Sequence, residues 1–100
     1  MARIVTLECE QLGEEIFRIW LTDRSEAGIT TQCISDTREL TDTNVMKIIQ
    51  GFLDKKLLIC DVIQSNGQYA FMGPKLAEML EARNIEHHFA TTRGSSKDNY

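Results

Sequence analysis

The sequence lacks most features that would place it in a membrane, a secreted framework or a multidomain protein. It has 100 residues, a single proline and no apolar run long enough to span a bilayer. Its first residues, MARIVTLECEQ, lack the basic start and apolar centre of a secretion signal. We therefore expect a cytoplasmic or nuclear protein with no membrane partner. With 42% apolar residues, the chain predicts one compact domain over residues 1–89 and a flexible polar tail over residues 90–100.

An excess of positive charge is also missing. The formal net charge is -4 and the sequence pI is about 5.1. Between residues 29 and 59, the basic and acidic side chains balance. These are Arg38, Lys47, Lys55 and Lys56 against Asp36, Glu39, Asp42 and Asp54. Affinity for duplex DNA depends on cations that displace condensed counterions, so we expect double-stranded DNA to bind only weakly to this chain alone.

Cysteine is scarce, and nothing in the sequence suggests a catalytic cluster. Cys9, Cys33 and Cys60 are odd in number and widely spaced, which suits neither a disulfide framework nor a zinc site. We expect reduced, partly buried thiols. His87 and His88 are adjacent, and neighbours on an extended segment point to opposite faces, so they make a poor pair for one metal. No glycine-rich phosphate loop or activated nucleophile is recognisable, so we expect no enzyme and no cofactor.

Apolar spacing in the first third of the chain favours a helix. Thr6 is a candidate N-cap for a helix that runs to about Thr22. The residues that would share its apolar face are Cys9, Leu12, Ile16, Ile19 and Trp20. The alternative is that RIVTL and EEIFRIWL form two strands, and Gly13 between them keeps that alternative open.

The rest of the chain predicts a second helix over residues 31–39, a third helix after it, a hairpin and a final helix. Thr41 would cap the third helix, with Asp42 in its first turn, and Lys55 and Lys56 would close its far end. The segments LLICDVI and QYAFMG would pair as strands through the turn Ser65-Asn66-Gly67. Pro74 would begin the final helix. Leu76, Met79 and Leu80 on one side of it predict either a lid over the core or a homodimer contact.

This order of elements carries a family resemblance. The stretch GITTQCISDTRELTDTNVMKIIQGFLDKKLLI followed by CDVIQSNGQYAFMG resembles the winged-helix superfamily over roughly residues 8 to 72. Within it, ELTDTNVMKIIQGFLDKKLL is similar to the winged helices of the small initiation subunit of eukaryotic RNA polymerase III. The resemblance implies a mostly α fold with a small β-hairpin, in which three helices and a wing precede an added C-terminal helix. It also implies an accessory module of a transcription or other nucleic-acid machine that contacts DNA or a protein partner.

The contact surface of such a module would combine the third helix with the wing. Asn44 and Gln50 can each present a paired donor and acceptor to adenine, and Lys47 can reach a guanine edge or a phosphate. The full set of expected nucleic-acid or partner contacts is Arg38, Thr43, Asn44, Lys47, Gln50, Gln64, Ser65, Asn66 and Gln68. An ordinary solvated helix face would show the same polar residues opposite an apolar stripe, so that alternative stays open.

A second hypothesis makes the chain a small acidic inhibitor that blocks the nucleic-acid groove of a protein partner, as an anti-CRISPR or anti-restriction protein would. Its acidic partner surface would consist of Glu8, Glu10, Glu14 and Glu15. Such a surface would make association with a basic partner fast and sensitive to salt. The same acids are also what a solvated helix start would carry, where they favour the helix dipole.

Overall fold

The computed structural model of the protein describes residues 2–26 and 29–90. In chain order the elements are β1 (Ile4–Gly13), β2 (Ile16–Glu26), β3 (Ile29–Thr37), α1 (Asp42–Asp54), β4 (Val62–Ser65), a 3-10 turn (Tyr69–Phe71), α2 (Pro74–Ala82) and β5 (Glu86–Phe89). The strands form one mixed sheet in the order β3-β2-β1-β4-β5. The predicted mostly α winged helix is therefore wrong, because a five-stranded sheet and not a helix bundle organises the core.

The predicted first helix is wrong, and the alternative of two strands is confirmed. β1 and β2 pair antiparallel, with Leu7 opposite Leu21 and Glu8 opposite Trp20. Burial alternates along β1, since Val5 and Leu7 are buried while Glu8 is exposed. A period of two residues is the strand pattern. The larger apolar residues of this segment also fit helical spacing, but that spacing is counted across the turn at Gly13, which separates the two strands.

The predicted second helix over residues 31–39 is also wrong, since that stretch lies almost wholly in β3. β3 pairs antiparallel with β2, with Ile34 opposite Trp20 and Cys33 opposite Leu21. Its sequence, ITTQCISDT, is rich in β-branched residues, which fit a pleated, half-buried surface better than a helix. Cys33 therefore lies on a strand of the sheet edge.

The predicted third helix is confirmed as α1. Thr41 caps it, because the Thr41 hydroxyl oxygen accepts the Asn44 backbone N–H at 3.2 Å, and Asp42 lies in its first turn. Val45 and Ile49 are fully buried against the sheet. The helix ends where Lys56 adopts a positive φ of 61°. The two lysines that follow Asp54 thus lie beyond the last helical turn.

The predicted wing is wrong, because its two segments do not pair with each other. Residues 57–61 form a connection, and β4 then runs parallel to β1 on one side and to β5 on the other. Asn66 does not begin a tight hairpin turn: its side-chain oxygen accepts the Gln68 backbone N–H at 3.0 Å and leads the chain into the 3-10 turn. Both Val62 and Ile63 are buried, and a central parallel strand buries residues on both of its faces.

The predicted final helix is confirmed as α2, which starts at Pro74. Leu76, Met79 and Leu80 all belong to the buried core, so this side of α2 is the predicted lid over the core. Residues 91–100 of the predicted polar tail lie outside the described residues. Within the described part of the chain, no helix has the length and apolarity that a membrane crossing needs.

Both helices and the 3-10 turn pack on one face of the sheet, around Val5, Ile19, Ile63 and Phe71. The side chains that alternate with these point to the opposite face, on which no helix packs among residues 2–26 and 29–90. We call this side the open face. Its residues, taken from strand pairing, are Ile4, Thr6, Glu8, Glu10, Arg18, Trp20, Thr22, Gln32, Ile34, Asp36, Val62, Gln64, Glu86 and His88.

Candidate protein-binding face

The open face is a regular grid of side chains across the five strands. Its central row crosses all of them, with Gln32, Thr22, Thr6, Gln64 and His88 side by side. Thr22 is buried, and its hydroxyl accepts the Gln32 side-chain N–H at 3.3 Å. This row therefore forms a polar band through the middle of the face, and at its end His88 Nε2 lies 2.8 Å from Glu86 Oε1.

Apolar side chains flank the polar band on both sides. On one side, Trp20 lies between Glu8 and Ile34, and it is the only tryptophan of the chain. Ile34 remains 52% exposed. On the other side, Ile4 pairs with Val62 and remains 47% exposed. Exposed large apolar side chains make this face a candidate contact surface, and β1, β4 and β5 form a parallel unit of the kind usually covered on both faces.

Charge on the open face is mainly negative. Arg18 and Asp36 form a two-point ion pair, with Nε–Oδ1 at 2.8 Å and Nη2–Oδ2 at 3.1 Å. The hydrogen bond from Arg18 lowers the pKa of Asp36, and the same bond raises the pKa of Arg18. Because Arg18 is matched by Asp36, the carboxylates of Glu8 and Glu10 remain as the excess charge of β1 on this face. Glu8 lies directly opposite Trp20, and Glu10 lies opposite Arg18.

The carboxyl ends of the parallel strands carry a second polar cluster on the helix-covered side. Ser65 is buried, and its Oγ lies 2.7 Å from His87 Nε2 and 2.9 Å from the Asn66 carbonyl oxygen, to which it donates. With the hydroxyl proton so placed, His87 Nε2–H donates to Oγ. Burial, with a smaller contribution from the neighbouring His88, lowers the pKa of His87. A neutral His87 thus ties β5 to β4.

The three thiols are held in their unreactive form. Burial raises the pKa of Cys9 and of Cys33, and burial with the nearby Asp61 and Asp23 raises the pKa of Cys60 to about 11. The thiolate is the nucleophile and the metal ligand, so these values oppose both roles. All three cysteines are free; Cys9 and Cys60 are partly buried, as predicted, whereas Cys33 is buried.

The residues predicted on the third helix lie on the covered side of the molecule. The Asn44 side chain donates to the Glu39 carbonyl oxygen at 2.8 Å, so its amide is engaged in the helix start. Gln50 borders a groove between α1 and α2, and Thr43 is half-buried. Lys47 is exposed on α1, and Arg38 is exposed after β3. A role for these five in nucleic-acid or partner contact stays a prediction, but the sheet separates α1 from the open face.

The structure disperses the residues predicted on the wing. Gln64 is exposed on the open face, whereas Ser65 is buried against His87. Asn66 is exposed in the turn after β4. Gln68 is half-buried, and its side-chain oxygen caps the 3-10 turn by accepting the Tyr69 N–H at 2.9 Å. These four do not form one surface with α1.

The acidic residues of the second hypothesis are divided between two places. Glu8 and Glu10 lie on the open face, and Glu14 and Glu15 form the exposed turn between β1 and β2. Reasoning from the sequence missed Trp20, Ile34 and Ile4 as surface residues. The sequence signal for them is the two-residue alternation along β1, β2 and β3. Because neighbouring residues of a strand point to opposite faces of the sheet, apolar residues in these strands reach both faces.

The chain matches no protein-family model and no curated protein. Solved structures, in contrast, include proteins whose fold is similar to that of this chain. The HTLV-2 integrase catalytic core domain in complex with magnesium, in its trimeric form, superposes with a TM-score of 0.70 at 14% identity over 89% of this chain and 60% of that one. The chain is therefore similar in fold to this part of a retroviral integrase core. The dimeric form gives 0.72 at 14% identity, over 92% and 62%.

A third structure extends the comparison. The simian T-cell lymphotropic virus intasome in complex with the PP2A regulatory subunit B56 gamma gives a TM-score of 0.78 at 8% identity, over 93% of this chain and 33% of that chain. The protein thus spans about three fifths of the length of the two isolated cores. These similarities contradict the winged-helix resemblance. The predicted transcription module is therefore wrong, and the inhibitor hypothesis is not supported.

Magnesium in the related cores raises the question of whether this chain could hold it. In residues 2–26 and 29–90, no three side chains of His, Cys, Asp or Glu lie together in a way that could bind a metal ion. Glu8 and Glu10 project from β1 beyond the end of its pairing with β4, where Gln64 lies beside Thr6 and the following Ser65 and Asn66 are also neutral. Magnesium sites in proteins use carboxylates and phosphates. The described residues therefore do not fit a magnesium centre.

Proposed function

We propose that this protein is a non-catalytic, integrase-core-like module of a nucleic-acid machine, and that its open face binds a basic amphipathic helix of a protein partner. The observation that carries the proposal is the one-sided cover of a sheet whose fold is similar to two integrase cores, with TM-scores of 0.70 and 0.72, and to an intasome chain, with a TM-score of 0.78. One of those structures is an intasome with a protein bound. We also retain the prediction of a cytoplasmic or nuclear location.

The shape of the open face favours a helix as the occupant. Ile4 and Ile34 lie on opposite sides of the polar row, on β1 and β3, with β2 between them. Along the strand direction, four residues separate Ile4 from the row of Glu8, Trp20 and Ile34, which is about 13 Å, and a helix with its side chains is about 10–12 Å wide. A helix laid across the strands would cover Trp20 with its apolar stripe.

Charge determines which kind of helix fits. The excess carboxylates of Glu8 and Glu10 border the apolar patch, and the only arginine on the paired rows of the face is bound by Asp36. Lysine or arginine residues beside the apolar stripe would meet these carboxylates. Because Glu8 and Glu10 are exposed, the attraction mainly raises the association rate and weakens with salt. The same carboxylates repel the phosphates of DNA, so the face disfavours duplex DNA.

Trp20 makes the proposal measurable, because the fluorescence of the single tryptophan comes from the proposed site. The probe is a synthetic helical peptide with leucine on one face and lysine on the other. We expect a blue shift of Trp20 emission that weakens at high salt, and no shift with the matched peptide that carries glutamate in place of lysine. Duplex DNA should leave the emission unchanged.

Two variants separate the open face from a general attraction. Ile4→Lys places a cation in the apolar patch and should weaken peptide binding about tenfold or more, by lost apolar contact and by repulsion. Leu57→Lys makes the same change at a residue that is 58% exposed on the α1–β4 connection, and should leave binding unchanged. Equal effects of the two variants, or a response to DNA in place of the peptide, would reject the open face as a protein-binding site.

The non-catalytic part of the proposal has its own test. Incubation of the protein with duplex DNA and Mg²⁺ or Mn²⁺ should give no strand cleavage or strand transfer above a no-protein control. The proposal rests on the missing carboxylate cluster among the described residues, so a matched Glu8→Gln variant serves as the control for contaminating nuclease. Cleavage that Glu8→Gln abolishes would show that β1 carries catalytic chemistry and would overturn this part.

A further inference from the structure

The sheet ends on one side in a long strand whose outer edge is unpaired within the described part of the chain. β3 is an edge strand that pairs with β2 alone. Within residues 2–26 and 29–90, no backbone hydrogen bond joins β3 to any segment other than β2. Such an edge presents a row of free N–H and C=O groups that can accept another strand. The opposite edge, β5, is only four residues long.

The usual protections of an edge are absent from β3. Its sequence, ITTQCISDT, contains no proline and no lysine. Its one charged residue, Asp36, is already neutralised by Arg18 of β2. The strand is regular from Thr31 to Thr37, because the only irregularity of the β2–β3 ladder falls before Thr31. β3 therefore offers an uninterrupted stretch of regular extended geometry.

We propose that β3 pairs antiparallel with β3 of a second copy of this chain, and so joins two five-stranded sheets into one. A two-fold axis through the middle of the regular stretch passes beside Ile34, which then lies opposite Ile34 of the second copy. Antiparallel strand addition about such an axis is self-complementary, as a closed dimer requires.

The residues around the axis favour a second copy over an unrelated strand. On the open face, the pairing extends the row of Trp20 and Ile34 into Ile34 and Trp20 of the second copy, so the apolar side chains become continuous across the junction. Asp36 faces the neutral Gln32 of the second copy, and Thr31 faces Thr37. No like charges are opposed anywhere from Thr31 to Thr37, and like charges opposite each other would oppose pairing.

Cross-linking tests the pairing and its register together. Directly opposed residues in antiparallel strands have Cα atoms about 4.5–5.5 Å apart, which lies inside the range that a disulfide spans. We expect Ile34→Cys to form a disulfide between the introduced thiols of two copies under mild oxidation, identified by peptide mass spectrometry. Ile59→Cys, at a loop residue that is 62% exposed, is the matched control and should cross-link only at the slow rate of random encounters.

Sedimentation equilibrium tests the strength of the pairing in the otherwise unmodified chain. The wild-type protein should show a monomer–dimer equilibrium, and Ile34→Lys should raise the dimer dissociation constant about tenfold or more, because two lysines would then face each other. Ile59→Lys should match the wild type. Circular dichroism of each variant verifies the fold, which an exposed position should not disturb.

Three results would overturn the proposal. A wild-type protein that stays monomeric at every concentration, with Ile34→Cys cross-linking no faster than the control, would leave the β3 edge to an extended peptide of another protein or to solvent. A dimer that Ile34→Lys does not weaken would place the contact on a different surface. An introduced thiol at position 34 that links mainly to Cys9, Cys33 or Cys60 of the second copy would reject the two-fold register.

Discussion

Gly73 offers a sharp test of how α1 and α2 meet. Gly73 immediately precedes α2, and a Cβ atom added to it would overlap the side chain of Asp42 at the start of α1. The Asp42 carboxylate also accepts the Lys75 backbone N–H at 2.9 Å, one of the amides that the first turn of α2 leaves without a helical partner. The two helix starts are thus held together by one side chain, with no room for a methyl group.

Gly73→Ala should destabilise the protein by displacing Asp42. The backbone at Gly73 has φ -78° and ψ 160°, which alanine adopts without strain, so the cost comes from packing. Overpacking costs about 1–3 kcal/mol, and loss of a hydrogen bond to a charged group about 1.5–3 kcal/mol. Part of the bond survives if Asp42 rotates, so we expect a loss of about 2–4 kcal/mol in the free energy of unfolding. Urea denaturation followed by Trp20 fluorescence measures it.

Gly51 gives the matched control within α1. A Cβ at Gly51 would meet nothing within 4 Å, and its position inside the helix favours alanine. Gly51→Ala should therefore stabilise the protein by up to about 1 kcal/mol, the opposite sign from Gly73→Ala. In an Asp42→Gly background, which removes the overlapped atoms, Gly73→Ala should cost much less. A Gly73→Ala protein as stable as the wild type would refute the described contact between the two helix starts.

Three further predictions follow from the polar cluster and the thiols. Because the pKa of His87 is lowered in the folded state, the unfolded chain binds more protons below about pH 6.5, so His87 should reduce stability as the pH falls through that value; His87→Gln should remove this part of the pH dependence, and equal slopes would contradict it. Ser65→Ala should cost about 1–3 kcal/mol in urea denaturation, since it leaves the His87 N–H without its acceptor, and a cost near zero would count against the described bond. With its pKa raised to about 11, Cys60 should react with iodoacetamide at pH 8 on the order of 100-fold more slowly in the native protein than in urea, and similar rates would contradict that value.

The parts of the fold that the sequence predicted are those with local signals. Thr41 and Asp42 marked the start of α1, and Pro74 marked the start of α2, because caps and proline act through the chain's own neighbouring amides. The adjacent histidines also follow local geometry: His87 is half-buried under the helices, while His88 is exposed on the open face. The alternation of side chains between the two faces is a property of the strand backbone itself, so it can be predicted without knowing the neighbouring strands.

The parts of the fold that were predicted wrongly are those that depend on strand partners distant in sequence. The sequence predicts β4 as one arm of a hairpin, but its neighbours in the sheet are β1 and β5, which lie far from each other along the chain. Nothing within Val62–Ser65 identifies those neighbours, because hydrogen bonds of the backbone are the same for any partner. In β1 and β2, apolar residues at helical spacing competed with alternation, and only pairing of Leu7 with Leu21 settles the choice.

The apolar side chains of the open face were not predicted, for the same reason. The sequence predicts Trp20 on the apolar face of a helix, whereas in the sheet it lies on the face away from both helices. A role for Asn44 and Gln50 in partner contact stays a prediction; in the structure the Asn44 side chain donates to the Glu39 carbonyl oxygen and Gln50 lies beside α2. A polar residue on an amphipathic helix is free only if no second element covers it, and the sequence of one helix does not contain that information.

The most direct test of the account is the pairing of the central strands in solution. Nuclear Overhauser effects between backbone protons should link Leu7 with Leu21 across an antiparallel ladder, and Val5 with Ile63 across a parallel one. Observation of both would establish the mixed sheet from which the open face and the β3 edge follow. A continuous series of helical contacts between residues three and four apart from Thr6 to Thr22, with no contact between Val5 and Ile63, would contradict it.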